Sequence, residues 1–386
     1  MAFSGLSTNK LFTPNLLAED VSEIFRTLVP YEAPFLDWLG DPADFASNTK
    51  HEFIEDFMRP RTIINSTAIT STTAALGIQI GPAVAEALTI GTILENTGVT
   101  PEYLQVTSIV SGGQSILVSR NYDGSGIGSL AAGGTLRVKA PTAEEGHEHA
   151  GLHTARLGNR RANTVGYFNV EIGETGTGRS VKTYGGDSFE NSRAKALREL
   201  PALLEGEVLT GVWNGTNSLG TSTATRTMQG LRAQLTAVNS TVVDASFSAN
   251  PHLYLGDAFA NMFAAGAAST ETWGIIADAA YFRDISNMND TKVVDSNRDE
   301  LFKRVIRTYT GPFGTATVFL SRALRTRELL IVPRERVRVL PLQSRSFAYE
   351  EMGKTGDNTK GMLVGEYTLE AYHPSAMSRI RTSSPA

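Results

Sequence analysis

An α+β fold is predicted by three features: a long apolar stripe at helical spacing after Ser188, polar–apolar alternation toward the C-terminus, and a glycine-broken middle section of short β-rich runs. The stripe is Leu197, Leu200, Leu204 and Val208, at intervals of three, four and four, widened by Ala196 and Leu203. Its opposite face carries Arg193, Lys195, Arg198, Glu199 and Glu205. Arg336-Val337-Arg338-Val339 and Glu366-Tyr367-Thr368-Leu369-Glu370-Ala371 alternate as strands do when one face is buried and the other solvated. Helix together with antiparallel sheet defines the class.

In chain order, Leu17, Val21, Ile24, Phe25 and Leu28 have helical spacing, Pro30 ends that run, and a second apolar cluster covers Phe35 to Leu39. This reads as an N-terminal arm over 1–50. A section of short strands follows: Leu88 to Leu94, Tyr103 to Val110, Ser115 to Asn121 and Thr135 to Lys139. Ser111-Gly112-Gly113-Gln114 splits the middle pair and predicts a hairpin. Gly124, Gly126, Gly128, Gly133 and Gly134 break the stretch after it, so the section is expected to be a β-rich projection, mobile in an isolated subunit and completed by neighbours.

The strongest helix starts near Ser188, where Asp187 or Ser188 serves as cap and Glu190 sits in the first turn. Pro201 should remove one backbone hydrogen bond and bend it, and Gly206 should weaken it. Its stripe is expected to lie against the subunit's own sheet. Beyond it, helical signals at Asp257 to Ala267 and Asp299 to Arg307 alternate with strands at Thr315 to Leu320, Leu329 to Val332, Val337 to Leu340 and Met362 to Tyr372.

Composition narrows the function. With 41% hydrophobic and 19% charged residues the chain has enough apolar material to fold, and its longest apolar runs fall short of the roughly 20 residues a bilayer requires. The N-terminus lacks the charged start and apolar core of a secretory signal, which predicts assembly in the cytosol. Zero cysteines exclude disulfides, thiolate metal sites and cysteine nucleophiles. A net charge of −5 argues against a protein whose main work is gripping nucleic acid, since counterion release requires clustered Lys and Arg.

Motifs for chemistry are weak. His147-Glu148-His149 with His153, beside Glu144 and Glu145, is the best metal candidate, and a metal-dependent hydrolase using His147, His149 and His153 is the alternative function from a different class. The polar, glycine-flanked setting favours a solvated loop tip, so no metal, cofactor or catalytic residue is assigned. Gly173 to Arg179 lacks the Gly-Lys-Ser/Thr ending of a phosphate loop and is expected to be a flexible hinge. Gly356-Asp357-Asn358 is a turn, because the later Glu of a calcium loop is missing. Arg334, Arg336 and Arg338 are placed on one face of a strand, as a solvated or intersubunit surface.

Several segments, in order, resemble the phage major capsid proteins of the Hong Kong 97-type fold, in the branch long catalogued as a domain of unknown function. They are Glu190 to Gly211; Thr227-Met228-Gln229-Gly230-Leu231; Tyr309-Thr310-Gly311-Pro312-Phe313-Gly314, similar to the family's Thr-x-x-Gly turn; and Gly353-Lys354-Thr355-Gly356-Asp357 running into Gly365-Glu366-Tyr367-Thr368-Leu369-Glu370. Glu102 to Thr107 followed by Val118-Ser119-Arg120 is similar to a strand pair of the same family, whereas Asn121 to Gly126 replaces its usual Arg-Gly turn.

The resemblance implies an N-terminal arm (1–50), an extended loop with a β-rich insertion (51–170), a peripheral domain with a spine helix (171–235), an axial domain (236–345) and C-terminal strands returning to the peripheral domain (346–386). It implies a structural subunit with no catalytic site, closing pentamers and hexamers into an icosahedral shell around double-stranded DNA, without sequence-specific binding and without membrane contact. Scaffolding, portal and decoration proteins are the implied partners, and the virion, assembled in the host cytoplasm, is the implied location. An encapsulin-like compartment shell is the alternative within the same class. With the arm helix beginning near Leu16, no long scaffolding extension is expected ahead of the shell domain, and any scaffold is expected to be a separate protein.

Overall fold

The computed structural model describes residues 33–40, 44–56, 61–66, 68, 75–79, 88–98, 101–110, 115–124, 126–129, 131–142, 145, 159–181, 188–213, 225–236, 240–242, 247–287, 308–354 and 356–382. The expected arm helix at Leu16 to Leu28, the helix at Asp299 to Arg307, the cap at Asp187 and the hairpin turn at Ser111 to Gln114 lie outside these residues. The chain divides into two compact units, residues 1–53 with 162–386, and residues 54–161. The paired strands Lys50–Glu55 and Asn159–Thr164 carry the chain out to the second unit and back.

The larger unit holds two sheets. One has six strands in the order Ser240–Val242, Ser378–Arg381, Glu328–Pro333, Trp273–Ala277, Gly314–Leu320 and Thr308–Gly311. Its central strands Trp273–Ala277 and Glu328–Pro333 are buried at every position. The reason is cover on both faces. Ile275, Leu329 and Ile331 pack with Leu255, Phe259, Tyr281 and Tyr309, while Ile276, Leu330 and Val332 pack with Phe35, Leu204 and Val208. Such strands read as continuous apolar runs instead of alternating ones. The two-residue Pro312-Phe313 link between Thr308–Gly311 and Gly314–Leu320 is the expected turn, with Gly314 at φ 134° where a side chain would be strained. The helix expected from Asp257 starts earlier, at Pro251, and runs to Ala264, since proline suits the first helical turn.

The second sheet is organised by one long strand, Asn358–Ala371. Gly166–Thr175 pairs with its first ten residues on one edge, and Ala348–Met352 and Val337–Pro341 share the other. Val337 to Val339 alternates buried, exposed, buried, as expected. Glu366 to Ala371 does not: Glu366, Thr368 and Glu370 are all buried. Strands lie along both edges, and Arg226, Arg345, His51 and Thr164 cover the polar face.

The long helix runs unbroken from Ser188 to Thr210, with Pro201 inside it. Proline deprives the Leu197 carbonyl of its helical donor, and Leu197 is 47% exposed, so water can serve that group. The buried set is Phe189, Ala196, Leu200, Leu204, Glu205, Val208 and Leu209, which corrects the expected stripe. Leu197 and Leu203 face outward, and Glu205, placed on the charged face, is 3% exposed. At 3.6 residues per turn Glu205 and Leu209 lie nearly opposite Leu200. The first half of the helix thus packs one side on Ile172 and Leu363, whereas its second half is buried more widely, among Phe35, Met228, Leu231 and Leu369.

The smaller unit is one antiparallel sheet in the order Thr62–Ile64, Thr135–Pro141, Thr92–Asn96, Glu102–Ile109, Ser115–Ser119 and Ala75–Gln79. Ile63, Ile78, Leu88, Leu94, Leu104, Val106, Ile116, Val118 and Leu136 form a core of its own. The expected strand at Leu88 begins only at Thr92. A turn closed by the Thr92 hydroxyl on the Thr89 carbonyl precedes it, and Gly91 takes φ 85°.

Leu200→Ala should lower stability by about 2–5 kcal/mol, because a closed core cannot fill the void. Leu203→Ala, on the outward face, should change it by no more than about 0.5 kcal/mol. Denaturant unfolding of the two variants side by side checks this, and equal losses would refute the placement of the helix.

Candidate functional site

Three of the segments that carried the resemblance, Glu190 to Gly211, Thr227 to Leu231 and Gly365 to Glu370, meet at the C-terminal end of the long helix. Gly211 donates to the Glu207 carbonyl and Gly230 donates to the Gly211 carbonyl, so two backbones meet without side chains between them. A Cβ on Gly230 would collide with the Gly211 amide and lie 2.7 Å from the Glu207 carbonyl; one on Gly211 would lie 2.8 Å from the Met228 carbonyl. Only glycine permits this approach. Asn163 then ties three strands of chain together: its Nδ2 donates to the Gln229 carbonyl at 3.0 Å and the Leu369 carbonyl at 2.8 Å, and its Oδ1 accepts from the Gln229 amide at 2.9 Å.

Buried carboxylates elsewhere in the larger unit are held in ion pairs. Glu366 accepts from Arg226 at 2.6 Å and Arg345 at 3.0 Å. Glu370 binds the His51 ring at 2.6 Å and accepts from the Tyr372 hydroxyl at 3.0 Å, and burial beside that carboxylate pushes Tyr372 up to about 12. Glu328, 1% exposed, accepts from Arg379 at 2.7 Å and lies 3.8 Å from Arg232. Burial lowers Arg379, and Glu328 counters it. Glu205 differs in kind. Its Oε2 accepts from the Phe35 amide at 2.9 Å and the Leu36 amide at 3.4 Å, and its Oε1 lies 3.3 Å from the Ser321 hydroxyl. Burial raises it above the ordinary carboxylate range, the three hydrogen bonds oppose that, and Asp37 adds to it. These groups join distant parts of one chain.

The smaller unit has its own clasp. Glu102, fully buried, takes Arg120 in two hydrogen bonds of 2.8 and 2.6 Å and also accepts from the amides of Asn121 and Gly128. Arg120 continues to the Gly128 carbonyl. The turn that begins at Asn121 is thereby fixed: Asn121 adopts φ 56° and its Oδ1 accepts from Gly126 at 2.7 Å.

Other expected features fall elsewhere. His147, His149 and His153 lie outside the described residues, among which no group of three or more metal-binding side chains occurs. Gly173 to Arg179 is not a hinge but the end of a strand and a short helix, Gly176–Ser180, capped by Thr175 on Gly178. Gly176 abuts Asp357, which explains the glycine without a phosphate. The three arginines do not share a strand face: Pro333 ends the preceding strand, and Arg334 to Arg336 form a turn. Arg334 donates to the Leu39 carbonyl, Arg336 binds Glu271 at 2.6 Å, and Arg338 lies 3.5 Å from Asp44. Glu205 and Asn163 were missed by sequence reasoning; Glu205 had one local signal, its place one residue after Leu204 on a wide apolar arc. Among the described residues no helix is long and apolar enough to cross a membrane.

The larger unit is thus two sheets braced by one long helix, with buried polar groups spent on internal ties. The model of the SU10 major capsid protein family matches residues 5–384, and the chain belongs to that family, whose members are structural head shell proteins. No curated protein matches significantly. Among solved structures, the capsid of Myoviridae phage XM1 is similar at TM-score 0.48 and 10% identity, covering 98% of this chain and 100% of that one. The capsid of cyanophage P-SCSP1u is similar at 0.45 and 10%, covering 63% and 81%. The SrpI encapsulin of Synechococcus elongatus PCC 7942 follows at 0.38 and 10%, covering 58% and 75%.

Arg379→Ala should destabilise by about 3 kcal/mol, since it leaves the buried Glu328 carboxylate with only the more distant Arg232 as a cation, and Arg379→Ala with Glu328→Gln should recover part of that loss. Thermal unfolding of the single and double variants measures it; no recovery in the double variant would show that the pair is not coupled.

Proposed function

We propose that this major capsid protein closes rings of five and six copies into an icosahedral shell of the Hong Kong 97 type around double-stranded DNA. The supporting observation is the match of the capsid family over 5–384, together with the assembly from copies of itself that this family implies. In the same reading residues 1–50 are the arm, 51–170 the extended loop with its β-rich insertion, 171–235 the peripheral domain, 236–345 the axial domain and 346–386 the returning strands. The compact unit at 54–161 and the long helix at Ser188–Thr210 support that division. The net charge of −5 supports enclosure of DNA without a dedicated binding face. The subunit acts mechanically and not as an enzyme, assembly proceeds in the host cytoplasm, and scaffolding, portal and decoration proteins complete the virion.

A shell of many copies derives its strength from modest contacts summed over symmetry-related interfaces. Exposed apolar residues such as Leu197, Leu203, Val212 and Trp213 are the kind of surface such contacts use.

Electron microscopy of the purified full chain should show closed shells of uniform diameter. Lys195→Glu, on the exposed side of the long helix, should leave unfolding within about 1 kcal/mol of the parent and change the salt concentration at which shells form. A protein that stays monomeric at high concentration under every salt condition would refute the reading.

A further inference from the structure

We propose that Glu205 is a proton-operated catch that closes the 33–40 segment onto the long helix, holding it when the carboxyl is protonated and loosening it when the carboxyl is ionised. The segment is a short helix, Pro34–Leu39, docked by two rings. Phe35 is fully buried beside Leu204 and Val208, and Trp38 packs on Phe319 at 5.3 Å and over Gly274, where a Cβ would lie 2.7 Å from the indole. At the point of contact, Glu205 closes over the first turn of the segment.

The three donors stabilise the ionised form, so the raised value reflects burial and the like charge of Asp37 outweighing them, in a donor arrangement that the neutral acid can also use. Both amide donors, Phe35 and Leu36, converge on Oε2, the role of a carbonyl oxygen, and Oε1 faces a hydroxyl, Ser321, at 3.3 Å. A hydroxyl both donates and accepts, so Ser321 can take a proton held on Oε1 as readily as it can serve a carboxylate.

The charges around Glu205 do not supply a counterion. Asp37 of the docked segment is of like sign, and Glu207 on the same helix is itself raised by burial. Arg232, on the adjoining helix Leu231–Thr236, turns to Glu328 at 3.8 Å, and Arg322 and Arg325 near Ser321 are exposed. Arg334 reaches the segment, but at its far end, on the Leu39 carbonyl. An ionised carboxylate in that setting loses hydration without recovering it from a cation.

The direction follows from linkage. A carboxyl raised by burial binds its proton more tightly docked than undocked, so docking gains stability as pH falls toward the ordinary value of 4.5 and loses it as pH rises through the raised midpoint. Amide hydrogen exchange of the full chain, followed at Phe35 and Leu36 and corrected for the intrinsic pH dependence, reads this directly. Between pH 8 and pH 5 the protection of these two amides should rise by about tenfold in the parent protein. Glu205→Gln, which keeps a carbonyl for the amides and offers an N–H to Ser321, should be protected at both pH values with no rise. Ser321→Ala, which keeps the carboxyl but removes a donor that favours its ionised form, should show a rise at least as large as the parent's, and it serves if the glutamine variant does not fold. Protection that stays flat or falls on acidification in the parent overturns the catch, as does a full rise in Glu205→Gln or a diminished one in Ser321→Ala.

Discussion

The close approach of two backbones at Gly211 and Gly230 is the constraint on which the larger unit depends. The long helix ends there with its last turns buried among Phe35, Met228, Leu231 and Leu369, which is possible only if the chain can turn back within hydrogen-bonding distance of the helix. A side chain at either glycine would push the 225–231 stretch away from the helix and expose that core. Asn163 then carries the constraint outward, because its amide fixes the same stretch to the long strand of the second sheet.

Buried charge in this protein is specification more than stabilisation. Replacing a buried pair with packed apolar groups often costs nothing, whereas separating one costs several kcal/mol. Glu366 with Arg226 and Arg345, Glu370 with His51, and Glu328 with Arg379 each join residues far apart in sequence. A misregistered strand would leave a bare charge in the interior, so wrong pairings are penalised more than the right one is rewarded.

Much of the fold was legible from periodicity, and the failures have physical causes. The strands at Leu329 to Val332 and Thr315 to Leu320 and the start of the long helix follow from local pattern, whereas the turn at Gly311 and Gly314 and the end of the helix came with the family resemblance. The buried polar face of Glu366 to Glu370 does not, because whether a glutamate faces water or an arginine more than a hundred residues away is decided by tertiary contact. The same holds for Glu205, which one-dimensional spacing assigns to the charged side. At the junction, the glycines and the Met228-Gln229 stretch were visible as motif residues, but Asn163 sits in an unremarkable polar strand and has no local signature.

The paired strands at Lys50–Glu55 and Asn159–Thr164 bring the two ends of the smaller unit side by side. With entry and exit adjacent and a separate hydrophobic core between them, that stretch is a cassette: its removal or replacement asks the rest of the chain to close only a short gap. Residues 54–161 can therefore be exchanged as a block, with the two sheets and the long helix of the larger unit left as they are.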